Sequence, residues 1–410
     1  MIRMLHFADF HLGMENYGRV NAESGLNSRV HDFLKRLDEV FHYARHNEVD
    51  LVVFAGDAFK NRTPNPTLQR EFARRIRQMS DHCPVVLLVG NHDLAATVTR
   101  ASSLEIYDTL AVPGVVLGDD YNLHTISTKN GTAYVGTAPY PVKARILDDE
   151  AAHTRTAQET DDLFKHTISR ALMELADQAR QAPDGAPRVL VGHFTVGGAR
   201  FGSEREVMLG SDVMVSLGDL DDSAWDYVAL GHIHKHQCLT NGKRTPIVYS
   251  GSLERIDFGE EGEPKGFCWV ELERGQTRWQ FQQVGSRPFL TLRADLREST
   301  DPMGDALSVI YRADVEDAIV RMYLQLNVED EGRVESRRLY AALYERGANM
   351  VATIKKEVVR EDRARLGDLP ESLTPLQLVE RYFAARSISR ERTDQLLERA
   401  KGIFEQADWS

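Results

Sequence analysis

Five short polar motifs, four of which directly follow an apolar run, constrain what this chain can fold into. The apolar runs have the length and composition of buried strands, and the segments between them carry the apolar spacing of helices. This alternation predicts an α/β fold with a largely parallel sheet that is covered on both faces. Ligands of such sheets bind at the carboxyl ends of the strands, where the motif residues would lie. The motifs are Asp9-Phe10-His11, Gly56-Asp57, Gly90-Asn91-His92-Asp93, Gly192-His193 and Gly231-His232-Ile233-His234.

The spacing within two of the motifs is suited to sharing a cation. Asp9 and His11 are two residues apart, so in an extended segment they point to the same side. His232 and His234 have the same spacing, in the most specific of the five motifs. Asp57 has two carboxylate oxygens, which can bridge two cations. In isolation Asp57 is more typical of a turn cap, so the metal hypothesis depends on the whole set.

The donors of the set are Asp, Asn and His without Cys, which favours a hard-to-borderline divalent ion such as manganese. Two ions about 3.5–4 Å apart would orient a phosphate ester, activate a water and stabilise the leaving oxygen. Asn91 can offer an amide oxygen to a metal, His92 can give a proton to the leaving oxygen, and Asp93 is expected to orient His92. The alternatives are an Asx turn with a surface histidine at 90–93, and a structural or surface role for His193. The chain is predicted to be a hydrolase.

A length of 410 residues predicts two or three domains. Residues 1–286 carry the strand–helix alternation, and 287–355 predict a small α+β domain. Charged residues 356–371 are expected to be a linker, and 372–410 a two-helix hairpin too small to bury both of its apolar stripes. The hairpin should therefore dock on the body of the chain or, as the linker favours, on a partner. Residues 258–264 are predicted to be a surface loop.

Composition places few limits on the substrate. We expect no membrane span, because no run of about 18 apolar residues occurs, and a cytoplasmic protein, because there is no signal-peptide pattern and the three cysteines are scattered. The formal charge of −12 opposes phosphate binding in general. It neither supports nor excludes a nucleic-acid substrate.

The motifs in this order resemble the calcineurin-like metallophosphoesterase superfamily and, within it, the SbcD-type DNA repair nucleases. The opening Ala8-Asp9-Phe10-His11-Leu12-Gly13 and the segment Ala55-Gly56-Asp57 carry the resemblance together with the other three motifs. It implies a metallophosphoesterase α/β sandwich over 1–286, a capping domain over 287–355 and a C-terminal helical hairpin. It also implies a manganese-dependent DNA exonuclease and endonuclease, the nuclease subunit of an SbcCD-type complex for double-strand-break repair.

The resemblance further implies a role for each motif residue. His92 would be the catalytic acid or transition-state stabiliser, and Mg²⁺ could substitute for Mn²⁺. The first manganese would be held by Asp9, His11, Asp57 and His234, and the second by Asp57, Asn91, His193 and His232.

Partners follow from the same resemblance. The hairpin at 372–410 would bind an SbcC-type, SMC-like ATPase, and helices at 66–79 and 102–110 would form a homodimer; ordinary core packing is the alternative for both helices. DNA contacts are expected at His236, at the rim of the site, and at Lys60. Many relatives carry His or Asp at the latter position, so Lys60 either weakens exonuclease activity or contacts a DNA phosphate directly.

Two other functions stay open at this point. A phosphodiesterase for small or cyclic nucleotides could use the same core, although it would need neither a capping domain nor a partner-binding tail. A non-catalytic scaffold is also conceivable, but a scaffold has no physical need for seven metal-binding side chains.

Overall fold

The structure, a computed structural model, describes most of the chain as two compact units. The described residues are 1–95, 100–146, 155–202, 214–240, 242, 245–359, 374–385 and 390–406. The first unit comprises 1–292, 310–322 and 340–353, and the second comprises 293–309, 323–339 and 354–410. Residues 360–371 of the predicted linker lie outside the described part.

Strands and helices alternate through the first unit, as the sequence predicted. Numbered along both units, the elements have the following bounds. The strands are β1 Ile2–Phe7, β2 Leu51–Phe54, β3 Val85–Leu88, β4 Val115–Gly118, β5 Asn122–Thr128, β6 Gly131–Ala138, β7 Arg188–His193, β8 Thr195–Val196, β9 Met214–Val215, β10 Tyr227–Gly231, β11 Gln237–Cys238, β12 Ile247–Tyr249, β13 Gly266–Leu272, β14 Arg278–Gln283, β15 Phe289–Asp295, β16 Ile319–Asn327 and β17 Met350–Val359. The helices are α1 Ser28–His46, α2 Pro66–Ser80, α3 Glu105–Thr109, α4 Lys143–Ile146, α5 Ala157–Gln181, α6 Leu217–Leu220, α7 Pro302–Arg312, α8 Ser336–Glu345, α9 Pro375–Ala385 and α10 Arg390–Gln406. None of these helices is long and apolar enough to span a bilayer.

Two six-stranded sheets stack face to face in the first unit. Their strand orders are β14-β13-β1-β2-β3-β4 and β11-β12-β10-β7-β6-β5. The central neighbours are parallel, and antiparallel strands lie towards the edges. The predicted α/β sandwich is confirmed. The sheets are covered on both faces, as expected, with helices on one face and the other sheet on the second face.

Alternation of side-chain direction explains why the buried central strands β2 and β3 are apolar throughout. In β2, Val52 and Phe54 pack in the core cluster beneath the helices, whereas Leu51 and Val53 pack between the sheets. Successive side chains of a strand point to opposite faces, so a strand covered on both sides has no polar face. A continuous apolar run is therefore what this sandwich requires.

Helix α2 turns its apolar stripe into the core of its own chain. Asn65 caps the helix by accepting from the Leu68 amide, and the stripe expected at a dimer contact is buried: Leu68, Phe72, Ile76 and Met79. The core alternative is thus confirmed for this helix. The second predicted dimer helix is shorter than 102–110, since α3 covers only Glu105–Thr109. Its neighbourhood still exposes Ile106 and Leu110, at 56% and 68%.

The C-terminal third has the predicted elements. β15, β16 and β17 form a three-stranded sheet in that order, and α7 and α8 supply the helices of the expected α+β segment. Strand β17 ends at Val359, so it continues past residue 355, where the α+β domain was expected to end. Thr374 and Gln377 form a capping box at the start of α9, the first helix of the predicted hairpin, with the Thr374 amide 2.9 Å from Gln377 Oε1.

Replacing Phe72 by Ala is expected to lower the free energy of unfolding by about 3–5 kcal/mol. The ring is fully buried, with the ring centroids of Phe10, Phe54 and Phe59 at 6.0, 6.0 and 5.3 Å, so its loss leaves a cavity. Urea unfolding followed by circular dichroism measures the change. Met173→Ala, at a side chain of α5 that is 55% exposed, is the control and is expected to stay within about 0.5 kcal/mol. Equal losses in the two variants would contradict the assignment of Phe72 to the core.

Candidate metal centre

All five motifs meet at one edge of the stacked sheets. Strands β1, β2 and β3 lead into the first three motifs, and β7 and β10 lead into the histidine motifs of the second sheet. In each of three groups of residues, the possible ligand atoms lie within 4.8 Å of one another. These groups are Asp9, His11 and His234; His11, Asp57 and His92; and Asp9, Asp57 and His193.

The backbone turns sharply where the strands deliver these side chains. Asp9, His11, Asp57 and His232 have φ of 52°, 46°, 61° and 92°. Positive φ is uncommon for residues with a side chain, and such strain clusters at functional sites. Hydrogen bonds between the first two motifs hold the turns; the Asp9 amide, for example, donates to the Gly56 carbonyl at 3.0 Å.

Two glycines of the motifs are required by close approach. A Cβ on Gly231 would lie 2.1 Å from the carbonyl oxygen of Ala55, and one on Gly90 would lie 2.2 Å from Asp57 Oδ1. Any side chain at these positions would push apart the strand ends that carry the donors. The glycines therefore allow the two sheets to bring their motifs together.

The side chains expected to hold the first ion converge on a single point. They are Asp9, His11, Asp57 and His234, and they are called the first donor group. His11 Nε2 and His234 Nε2 are 3.0 Å apart, and His11 Nε2 is 3.6 Å from Asp57 Oδ2. Asp9 Oδ1 accepts from the His232 amide at 2.8 Å, whereas Asp9 Oδ2 is buried without a hydrogen-bond partner. A buried carboxylate oxygen normally has a partner, so this orphaned oxygen among imidazole nitrogens fits a divalent cation.

The second donor group consists of the side chains expected to hold the second ion, and it is centred on Asn91. Its other members are Asp57, His193 and His232. Its Oδ1 is 3.0 Å from His193 Nε2 and 3.0 Å from His232 Nδ1. Asp57 Oδ2 is 3.3 Å from His193 Nε2. Because Asp57 borders both groups, it is placed to bridge two cations. The neutral and anionic oxygen and nitrogen donors here also suit a divalent ion.

The charges of Asp57 and His193 reinforce each other. Burial raises the pKa of Asp57, but the charge of His193 outweighs this effect and holds that pKa well below its usual range. Burial lowers the pKa of His193, but the carboxylate of Asp57 outweighs this effect and raises that pKa to about 9. His193 Nδ1 donates to the Ala55 carbonyl at 2.6 Å, so Nε2 is the nitrogen that faces Asp57 and Asn91.

His92 lies beside the first group and is oriented by a backbone carbonyl. Its Nδ1 donates to the Lys60 carbonyl at 2.7 Å, and its ring centroid is 4.8 Å from that of His11. The expectation that Asp93 orients this imidazole is wrong. The Asp93 carboxylate instead accepts backbone N–H bonds from Asp57, Ala58 and Gly90, at 2.9–3.1 Å. It ties two metal-site loops together, because buried backbone amides there need an acceptor.

Glu260 is a part of the centre that the sequence interpretation missed. It is fully buried, and its Oε1 accepts from His234 Nδ1 at 2.9 Å. The prediction of a surface loop at 258–264 is wrong, since Phe258–Glu260 is a short 3₁₀ helix and Phe258 and Glu263 are also buried. The one available signal was Phe258, an apolar residue inside an otherwise charged segment.

The two predicted DNA contacts lie next to donor residues. Lys60 is half-buried, and its carbonyl holds His92. His236 follows His234 by two residues, its Nδ1 donates to the Tyr249 carbonyl at 2.9 Å, and its ring stacks on Phe281 with centroids 4.0 Å apart. Contact of either residue with DNA stays a prediction.

The sequence profile of the calcineurin-like phosphoesterase family matches residues 2–236. The chain belongs to this family. It is therefore a metal-dependent phosphodiesterase with the metallophosphoesterase fold, and the donors described above could hold its ions.

Named relatives extend the match beyond the family profile. The SbcD subunit of nuclease SbcCD from Bacillus subtilis is 29% identical over 283 residues, 68% of each chain. Its namesake in Escherichia coli K12 is 24% identical over 412 residues, covering 98% of this chain and 97% of that one. Among solved structures, a dimetal phosphatase from Danio rerio superposes with a TM-score of 0.40 at 12% identity, over 69% of this chain and 96% of that chain. The predicted resemblance to SbcD-type nucleases is confirmed.

Manganese affinity is expected to fall about tenfold per pH unit as pH decreases from 8.5 to 6.5. Binding at Nε2 requires neutral His193, whose pKa Asp57 raises to about 9, so the imidazole must release a proton over this range. Isothermal titration calorimetry in buffers of different ionisation enthalpy measures both affinity and proton release. An affinity independent of pH, with no protons released, would contradict the prediction.

Proposed function

We propose that this chain is a manganese-dependent DNA nuclease, with exonuclease and endonuclease activity, that acts in the cytoplasm within an SbcCD-type double-strand-break repair complex. The observation that carries the proposal is the convergence of two donor groups that share Asp57 at the edge of the sandwich. The relatives named as nuclease subunits support it, because one of them aligns over nearly the whole chain.

In this proposal the donor groups hold two ions. The pair would neutralise the phosphodiester charge, orient the phosphate and lower the pKa of the attacking water. Asp57 would contribute to both positions, and Mg²⁺ is an alternative to Mn²⁺. The first ion would be held by Asp9, His11, Asp57 and His234, and the second by Asp57, Asn91, His193 and His232.

His92 supplies the proton for the leaving oxygen. The Lys60 carbonyl occupies its Nδ1–H, so Nε2 is the nitrogen free to meet a substrate. A protonated Nε2 can donate to the phosphate oxygen that departs. Asp93 acts as a positioning residue through the backbone amides of the Asp57 and Gly90 loops. Lys60 and His236 contact DNA.

The remaining segments serve substrate and partners. Residues 1–286 form the nuclease domain, 287–355 the capping domain that helps position DNA, and 356–371 a linker. The hairpin at 372–410 binds the SbcC-type ATPase, and its described helices expose Tyr382 and Ile403 at 48% and 63%. A homodimer would use the α2–α3 region through the exposed Ile106 and Leu110, since the stripe of α2 is internal.

Asp57→Ala and His232→Ala are expected to abolish manganese-dependent cleavage of DNA while leaving the fold intact. Each removes a donor from the edge of the sandwich, and Asp57 serves both groups. End-labelled linear and hairpin DNA, digested with and without Mn²⁺, measures cleavage, and circular dichroism checks folding. Full activity in either folded variant would refute the site.

Substrate class is tested by comparing wild-type turnover of a DNA duplex and of bis-p-nitrophenyl phosphate. The proposed function predicts efficient metal-dependent digestion of the duplex. Turnover of the small diester alone, with the duplex untouched in the presence of the ATPase partner, would instead indicate a phosphodiesterase for small nucleotides.

Deletion of 372–410 is expected to abolish association with an SbcC-type ATPase while sparing cleavage of simple DNA substrates. The donor residues all lie before this segment, and the apolar stripes of its two helices would be buried by the partner. Co-purification of the two chains measures association. Undiminished co-purification of the shortened chain would count against this assignment of the hairpin.

A further inference from the structure

A fully buried carboxylate lies directly behind one of the proposed metal ligands. Glu260 Oε1 is 2.9 Å from His234 Nδ1, and the exposed fraction of Glu260 is 0%. Its Oε2 is 2.9 Å from Lys265 Nζ and accepts from the Ile256 amide at 3.0 Å. The family profile ends at residue 236, so it covers neither Glu260 nor Lys265.

We propose that Glu260 is a positioning residue for the first ion, and that it holds the His234 imidazole with Nε2 facing Asp9 and His11. A carboxylate that accepts from Nδ1 requires the proton to be on Nδ1, which leaves the Nε2 lone pair to bind a cation. The inference rests on the proposed role of His234 as a ligand.

A charged acceptor distinguishes His234 from two of its neighbours. His193 Nδ1 donates to the Ala55 carbonyl, and His92 Nδ1 donates to the Lys60 carbonyl, both neutral oxygens. A carboxylate behind an imidazole makes it a more basic, stronger ligand as well as orienting it. Glu260 therefore acts selectively on the ion position to which His234 contributes.

Lys265 holds this arrangement from two sides. Its Nζ pairs with Glu260 and also donates to the His234 carbonyl at 3.1 Å, so one ammonium fixes both the backbone and the acceptor of the same histidine. Lys265 is fully buried, and a buried charge is stable only with such partners. Arg255 supports the segment by donating from Nε to the Glu260 carbonyl at 3.2 Å.

The test is manganese titration of the full-length protein by calorimetry, with Glu260→Gln as the variant. Gln keeps the shape and can still accept a hydrogen bond, so it removes mainly the charge. The wild type is expected to bind two ions. The variant should bind one of them about 10–100-fold more weakly and the other unchanged, and excess Mn²⁺ should restore its phosphodiester cleavage.

Glu263→Gln is the matched control. Glu263 lies in the same segment and is 3.3 Å from Lys265 Nζ, but its carboxylate has no hydrogen bond to His234 among the described contacts. Both of its affinities should match the wild type. Unchanged affinities in Glu260→Gln, equal weakening of both ions, or the same effect in Glu263→Gln would each overturn the inference. A wild type that binds no manganese would instead refute the proposed function.

A second measurement needs no metal. Long-range ¹H–¹⁵N spectra of the wild type report the tautomer of each histidine, and the inference requires His234 to carry its proton on Nδ1. His234→Gln identifies the resonance. An Nε2–H tautomer of His234 in the wild type would overturn the role of Glu260.

Discussion

The stacking of two sheets with their strand ends at a common edge is the constraint on which the site depends. His6 crosses the buried interface, its Nε2 donating to the Leu230 carbonyl at 3.2 Å while Nδ1 lies 3.1 Å from the Tyr227 hydroxyl. Burial lowers the pKa of His6 to about 3, so the bridge is neutral. It connects β1 and β10, the strands that lead into Asp9 and His232.

The centre concentrates features that oppose stability. Positive φ at residues such as Asp9 and Asp57 costs about 1–3 kcal/mol each, and buried carboxylates lose hydration. The opposing charges of Asp57 and His193, and the backbone amides bound by Asp93, offset part of this cost. The surrounding core must supply the rest, as the aromatic packing around Phe72 illustrates. The sandwich therefore acts as a rigid support for donors that would not stay together on their own.

The sequence was most informative where local periodicity and strand ends coincide. Apolar runs predicted the strands that precede Asp57 and Asn91, and the two-residue spacing of His232 and His234 predicted a shared cation. The sequence was less informative about the direction in which side chains point, because the Asp93 carboxylate turns away from the adjacent His92 imidazole and binds backbone amides. Glu260 was missed because a charged segment looks solvent-exposed unless its buried partners, here His234 and Lys265, are known.

The sequence by itself determined which donors exist, which strands deliver them, and the family to which the chain belongs, since all three depend on neighbouring residues along the chain. Only the tertiary structure decided how the strands divide between the two sheets, that the stripe of α2 is internal, and that the carbonyl of Lys60 rather than Asp93 holds His92. These outcomes depend on contacts between residues far apart in sequence. The spacing of residues within one segment does not show which distant segment it will contact. Packing and the pairing of buried charges decide those contacts during folding.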